Sequence, residues 1–170
     1  MARKPQTIFV QIAAYRDPEL VKTIEDMLEN AKKPQNLVLG ICRQYHPEDG
    51  FDNLDKYRDD KRFRISDVLY TDAKGVCWAR NQVQQLYGGE MYTLQIDSHM
   101  RFAPNWDTEL IKMVKDLQKI GIPKPLLTGY VSSYNPDNDP QGRVMEPWRM
   151  SFDRFIPEGA VFFLPETIPN

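Results

Sequence analysis

The chain has 170 residues, a length that suits one domain, and its 41% hydrophobic and 27% charged residues give material for one core beneath a soluble surface. A net charge of −2 and an isoelectric point near 5.7, with Lys and Arg interspersed among Asp and Glu, leave no basic face for nucleic acid. The apolar run Ala160-Val161-Phe162-Phe163-Leu164 falls far short of the ~20 residues that cross a bilayer, and Met1-Ala2-Arg3-Lys4-Pro5 leads into no apolar stretch of signal-peptide length.

Residues 8–14, Ile-Phe-Val-Gln-Ile-Ala-Ala, predict a buried strand. Tyr15-Arg16-Asp17-Pro18-Glu19 breaks that pattern, and Asp17 suits the cap of a helix with Pro18 at its first position. Leu20, Ile24, Met27, Leu28 and Ala31 recur at helical spacing, so a helix is expected over 18–31, with Lys32 and Lys33 at its end and Pro34 as its stop. A second buried strand is expected over 36–44, built on Leu37-Val38-Leu39-Gly40-Ile41-Cys42. The polar, aperiodic stretch 45–62 reads as a loop, and 63–70 as a third strand nearer an edge.

Gly75 precedes a helical segment in which Ala79, Val83, Leu86 and Tyr87 share a face and which Gly88-Gly89 ends. A fourth strand over 90–96 runs into Asp97-Ser98-His99. A helix over 108–120 turns Leu110, Ile111, Val114, Leu117 and Ile120 inward and stops at Gly121; 125–130 is expected to form a fifth strand. Residues 135–170 hold many prolines, alternate poorly and read as an irregular tail. The order of elements predicts a single α/β domain over 1–170, with a mainly parallel sheet flanked by helices. Cys42 and Cys77 form no CxxC pair and are expected to be reduced and buried, in a cytoplasmic protein.

Parallel sheets bind ligands at the carboxyl ends of their strands, which points to Ala14–Asp17, Gln44 onward and Asp97–His99. An apolar strand ending in Asp-x-His offers two metal ligands that turn toward one point as the strand curls. A carboxylate with a neutral imidazole suits Mn²⁺ better than Ca²⁺, and the imidazole favours Mn²⁺ over Mg²⁺. Such an ion would bridge the phosphates of a nucleotide sugar, with phosphate oxygens, waters or a third residue completing its shell. The bland alternative is that Asp97 caps a turn and His99 packs beneath Trp106. Upstream, Gly75 permits close approach of the backbone to a ligand, the helix start offers unpaired N–H groups, and Arg80 is placed to meet a phosphate or sugar hydroxyl or else to be an ordinary solvated arginine.

Gly75-Val76-Cys77-Trp78-Ala79-Arg80-Asn81 followed by Gly89-Glu90-Met91-Tyr92-Thr93-Leu94-Gln95-Ile96-Asp97-Ser98-His99 resembles GT-A glycosyltransferases, in which an Ala-Arg-Asn helix precedes a strand ending in Asp-x-Asp or Asp-x-His. The Asp-Ser-His form is similar to that of polypeptide N-acetylgalactosaminyltransferases. A closer resemblance is to the UDP-GlcNAc:polypeptide N-acetylglucosaminyltransferases, whose cytoplasmic members modify hydroxyproline on a ubiquitin-ligase subunit. It rests on Ile8 to Leu20, on Asn30-Ala31 with Pro34, on Gly40-Ile41, and on Leu94 to Phe102 with Trp106-Asp107, and it covers roughly residues 8–130.

This resemblance implies a GT-A-like, Rossmann-like fold and retaining transfer of GlcNAc from a UDP-sugar donor to a hydroxyl acceptor on a polypeptide. It implies Asp97 and His99 on the metal, and Tyr15 and Arg16 beside uridine and diphosphate. Arg80 and Gly75 would meet the donor and Gln44 the uracil edge, with no catalytic nucleophile assigned. The family's pattern continues with acidic residues and a further histidine that complete the metal and acceptor sites. The sequence ends at Asn170, and its other histidine, His46, reads as a surface residue. The expectation is therefore a transferase, a donor-binding domain lacking the acceptor part, or an α/β interaction domain in which Asp97 and His99 are structural. In the tail, Tyr130, Tyr134, Trp148 and Phe152 would line an acceptor groove or pack onto the sheet.

Overall fold

The computed structural model describes residues 5–168; Met1 to Lys4, the basic opening of the chain, and Pro169 and Asn170 at its end lie outside the described residues. The chain divides into two compact units, residues 1–112 and 113–170.

The first unit is a four-stranded parallel sheet in the order β3-β2-β1-β4, with β1 Ile8–Tyr15, β2 Leu37–Tyr45, β3 Phe63–Leu69 and β4 Tyr92–Asp97. This is the α/β architecture the sequence predicts. Side chains alternate across each strand, so every strand feeds two cores. Ile8, Val10, Ile12 and Ala14 of β1 join Leu37, Leu39 and Ile41 of β2 on one face, beneath helix α1 (Leu20–Asn30). Leu20, Ile24 and Met27 of α1 are fully buried there, each contributing about 1.5–3 kcal/mol by transfer from water. On the other face Phe9 and Cys42 pack against Ala79 and Val83 of helix α2 (Val76–Gln84). Both outer strands are edges, as the weaker pattern of β3 implies.

Helix α3 (Trp106–Lys119) begins by fastening the far end of α1. The buried Asp107 carboxylate accepts the backbone N–H groups of Lys32 (2.8 Å) and Lys33 (2.9 Å), and the Trp106 indole donates to the Met27 carbonyl at 2.9 Å. These contacts satisfy backbone groups that the end of α1 leaves open. The loop after β2 is tethered rather than loose, because Leu54 is fully buried and Tyr57 stacks on Phe63 at 4.4 Å.

In the second unit the structure corrects two expectations. Residues 125–130 form no strand; Tyr130 makes only an isolated bridge to Trp148, after Pro123 and Pro125 have removed two backbone donors. The stretch read as an irregular tail contains an antiparallel hairpin, β5 (Trp148–Phe155) with β6 (Val161–Thr167). A register shift between Phe152 and Arg154 breaks the alternation that would have announced β5. Tyr130 and Trp148 stack on each other at 6.4 Å, and Phe152 packs edge-on to Phe155. A third correction concerns Cys77, which is exposed while Cys42 is buried. Among the described residues no helix is long and apolar enough to cross a membrane.

Gly40 is where β2 passes beneath the Phe9 ring. A Cβ there would lie 2.4 Å from the ring's Cζ and 3.2 Å from Val83 Cγ1, and Phe9 is wholly buried. Gly40→Ala is therefore expected to lower unfolding stability by about 1–3 kcal/mol, as overpacking of a filled core does. A urea midpoint unchanged from wild type would show that the Phe9 ring has room to move.

Candidate functional site

The connections run from β1 outward to β2 and β3, then return across the sheet to β4 on the other side of β1. That reversal opens a crevice at the carboxyl ends of β1 and β4, where such sheets take their ligands. The register sets Asp97 beside Ala13 and Gln44 beside Tyr15, so three of the predicted positions meet on one edge of the sheet.

Asp17 stands in this crevice. Its Oδ2 accepts the Ser98 hydroxyl at 2.5 Å and lies 2.9 Å from His99 Nδ1; its Oδ1 accepts the Glu19 backbone N–H at 2.9 Å. Burial pushes this carboxyl up, but the hydrogen bonds from Ser98, His99 and Glu19 outweigh that and hold it below its ordinary value. Sequence reasoning marks Ala14–Asp17 as a strand end, yet it gives Asp17 only the role of helix cap. The helix begins at Leu20 with Glu19, not Asp17, at its cap position and no side-chain cap bond; Asp17 holds the turn before it.

The segment after β4 is stitched to α1 along its length. The Thr23 hydroxyl donates to the Ser98 carbonyl (2.8 Å) and accepts the Met100 N–H (3.0 Å), and Asp26 accepts the Phe102 N–H at 2.7 Å. Arg101 reaches Glu19 at 2.5 Å. Ser98 is consequently buried, while the flanking Asp97 and His99 side chains stay 58% and 60% exposed. His99 does not pack beneath Trp106, whose ring instead meets Phe102 at a tilt, centroids 4.8 Å apart.

Asp97 and His99, a carboxylate and an imidazole separated by one buried residue, are exposed side chains of types able to ligate a divalent ion. Among the described residues no group of three His, Cys, Asp or Glu side chains is arranged for a metal. Arg80 of α2 bonds Asp97 at 3.2 Å, which brings the helix face and the strand end together. Gly75 begins that helix with φ at 90° and nothing within 4 Å of where a Cβ would stand, so the backbone is open to approach. Beside it a cleft of about 510 Å³, bounded by Asp67, Leu69, Lys74, Trp78 and Gln82, opens at the end of β3 without including Asp97 or His99.

On the other side of β1, Tyr15 is 53% exposed and Arg16 adopts a left-handed conformation, φ 46°. Such strain costs of order 1 kcal/mol and persists where neighbours over-determine it. Here the Arg16 N–H bonds the Gln44 carbonyl at 2.9 Å, its guanidinium grips Asp49 through Nε (2.6 Å) and Nη2 (3.2 Å), and it lies 5.4 Å from the Tyr70 ring. Tyr70 also packs against His46, centroids 4.7 Å apart. Asp49 and Tyr70 escape sequence reasoning because nothing in their local pattern marks them. Gln44 is buried, and its amide donates to the Ala14 carbonyl at 3.0 Å, so it supports the β1 turn.

A parallel α/β sheet that brings Asp97 and His99 to its topological switch point has its candidate site where such sheets take their ligands. The family model described as Glycosyltransferase (GlcNAc) matches residues 7–61 and 51–168, and the chain belongs to that family. A role in glycosyl transfer, with a sugar donor and an acceptor, follows from that membership. No curated protein matches the chain.

The depressed Asp17 carboxyl fixes the sign of a pH effect. Its folded value lies below the unfolded one, so its contribution to stability is full above about pH 4, the ordinary carboxylate range, and fades as pH falls through the folded value. Asp17→Asn is expected to be less stable than wild type at pH 7, with the gap narrowing toward pH 2. Denaturant midpoints at both pH values check this, and a gap independent of pH would contradict it.

Proposed function

We propose that the chain carries the donor site of a GT-A-type glycosyltransferase that moves GlcNAc from UDP-GlcNAc to a hydroxyl acceptor on a polypeptide, with retention at the anomeric carbon. The observation that carries the reading is the contact of Arg80 with Asp97, two residues before the exposed His99, at the switch-point crevice of a chain in a GlcNAc glycosyltransferase family.

Asp97 and His99 would hold a divalent ion, Mn²⁺ in preference to Mg²⁺ because one donor is an imidazole nitrogen. When bound, that ion supplies positive charge against the departing diphosphate. Arg80 adds a guanidinium on the α2 side and is set toward the same point by its bond to Asp97. Gly75 lets the start of α2 come close to the donor, since no side chain stands in the way. Tyr15 offers an exposed ring to the uracil, and the Arg16 turn, tied back to β2, keeps that ring at the edge of the crevice. Ser98 orients the pair by facing inward, which leaves its two neighbours facing out.

Calorimetric titration of UDP and UDP-GlcNAc, with and without Mn²⁺, tests this reading. Metal-dependent binding is expected in wild type. In an Asp97→Ala, His99→Ala double variant it should be weakened by roughly 100-fold or more, since loss of supporting groups alone costs 10–100-fold. Binding with no transfer to any polypeptide hydroxyl would make the chain a donor-binding domain. Absence of binding by a protein shown to be folded would remove the transferase reading and leave an interaction domain.

A further inference from the structure

The two histidines of the sequence are held in opposite ways. His99 Nδ1 lies 2.9 Å from Asp17 Oδ2. At neutral pH a carboxylate has only acceptor sites, so a hydrogen bond there requires the proton to be on the imidazole Nδ1. The neighbouring partner of the same oxygen, the Ser98 hydroxyl, is also a donor, and the other carboxylate oxygen takes a backbone N–H. Three donors thus converge on Asp17, which as a carboxylate has no proton to offer any of them. His46 is the reverse case, because its Nδ1 receives the backbone N–H of Glu48 at 3.2 Å and must be bare when the ring is neutral.

We propose that Asp17 is a positioning residue that holds neutral His99 in its Nδ1–H tautomer and so leaves the Nε2 lone pair free as the donor toward a divalent cation. The part of this inference that concerns the cation rests on the reading under Proposed function; the tautomer does not. A ligating imidazole whose other nitrogen donates to a carboxylate is fixed in orientation and made a better electron-pair donor. Asp17 is itself anchored by the Glu19 backbone N–H and the Ser98 hydroxyl, so the carboxylate that His99 leans on is fixed in place. An unsupported imidazole on an exposed loop would sample both tautomers and several ring rotamers. Each of those states would reduce the fraction ready to bind.

Long-range ¹H–¹⁵N spectra of ¹⁵N-labelled, metal-free protein at neutral pH read the tautomers directly, and only two imidazoles need assignment. His99 is expected to show a protonated Nδ1 and a bare Nε2, and His46 the opposite pattern. In Asp17→Ala, which removes the acceptor altogether, His99 is expected to lose its fixed Nδ1–H form and show the Nε2–H form as well, while His46 keeps its own. In Ser98→Ala, which leaves Asp17 able to accept, His99 is expected to stay in the Nδ1–H form. Titration of Mn²⁺ followed by the paramagnetic resonance of the free ion is expected to give an affinity about 10–100-fold lower in Asp17→Ala than in wild type.

A wild-type His99 carrying its proton on Nε2 overturns the proposal without any variant, which covers the case in which Asp17→Ala fails to fold. A folded Asp17→Ala whose His99 keeps the Nδ1–H form as fully as wild type overturns it as well. Should Mn²⁺ not bind wild type while the tautomers behave as described, the metal reading under Proposed function falls and the hold of Asp17 on His99 stands.

Discussion

The carboxylate of Asp17 occupies the point where β1 gives way to α1, and the end of β4, some eighty residues later in the chain, is organised around it. Geometry explains why one side chain has this reach. In a parallel sheet whose order reverses at β1, the residue after β1 and the residues after β4 are neighbours, although no local contact announces it. A short polar side chain at that position is able both to hold the turn that leads into the helix, through the Glu19 N–H, and to reach across the crevice. Asp meets both demands with two oxygens. Asn would carry a donor on one side, and Ser could not span the distance to two partners at once.

Around this contact the rest of α1 works as a template for the strand-end loop. Thr23 and Asp26 capture backbone groups at Ser98, Met100 and Phe102, and Glu19 takes Arg101. Backbone captured by side chains cannot choose another path, and the consequence is a strict inward–outward sorting of Asp97, Ser98 and His99. The same helix is pinned at its far end by Asp107 and Trp106, so the template does not slide. Packing energy comes from Leu20, Ile24 and Met27, whereas direction comes from the hydrogen bonds.

Much of this was legible in the sequence, for identifiable reasons. The helix over 20–30 and the strands through 8–15, 37–45 and 92–97 follow from periodicity, because buried faces in a parallel sheet read as apolar runs. Asp97 and His99 stand out because polar residues capable of binding metal end such a run. The hairpin of the second unit was hidden by its bulge and by Pro157 and Pro165, and 125–130 looked like a strand only because Leu126, Leu127 and Tyr130 are apolar. Cys77 sits on the first turn of α2, where the helical pattern had not yet committed a face, and it turned outward. Asp17 as an acceptor, Asp49 and Tyr70 were invisible for one shared reason: each acts on a partner far away in sequence. Gln44 satisfies the strand-end rule, and one N–H of its amide is tied to the Ala14 carbonyl, a pairing about which periodicity says nothing.

The side of the crevice away from Asp17 meets the same requirement at greater cost. Asp49 has to arrive at Arg16 from within a loop of more than fifteen residues, and apolar anchors alone, Leu54 and the Tyr57–Phe63 stack, would leave its register free to slip. Arg43 of β2 supplies the directional element by pairing with the fully buried Asp52 at 2.8 Å, three residues from Asp49. Arg43 Nε and Asp52 Oδ2 find no hydrogen-bond partner among the described residues, so the pair is not arranged for greatest stability. Asp67 of β3 lies 3.5 Å from the other end of the same guanidinium, so Arg43 ties the loop to the neighbouring strand, and removing Asp52 would leave a buried charge only partly met. The Asp52 anchor stands three residues from Asp49, whose carboxylate holds the strained Arg16 beside Tyr15.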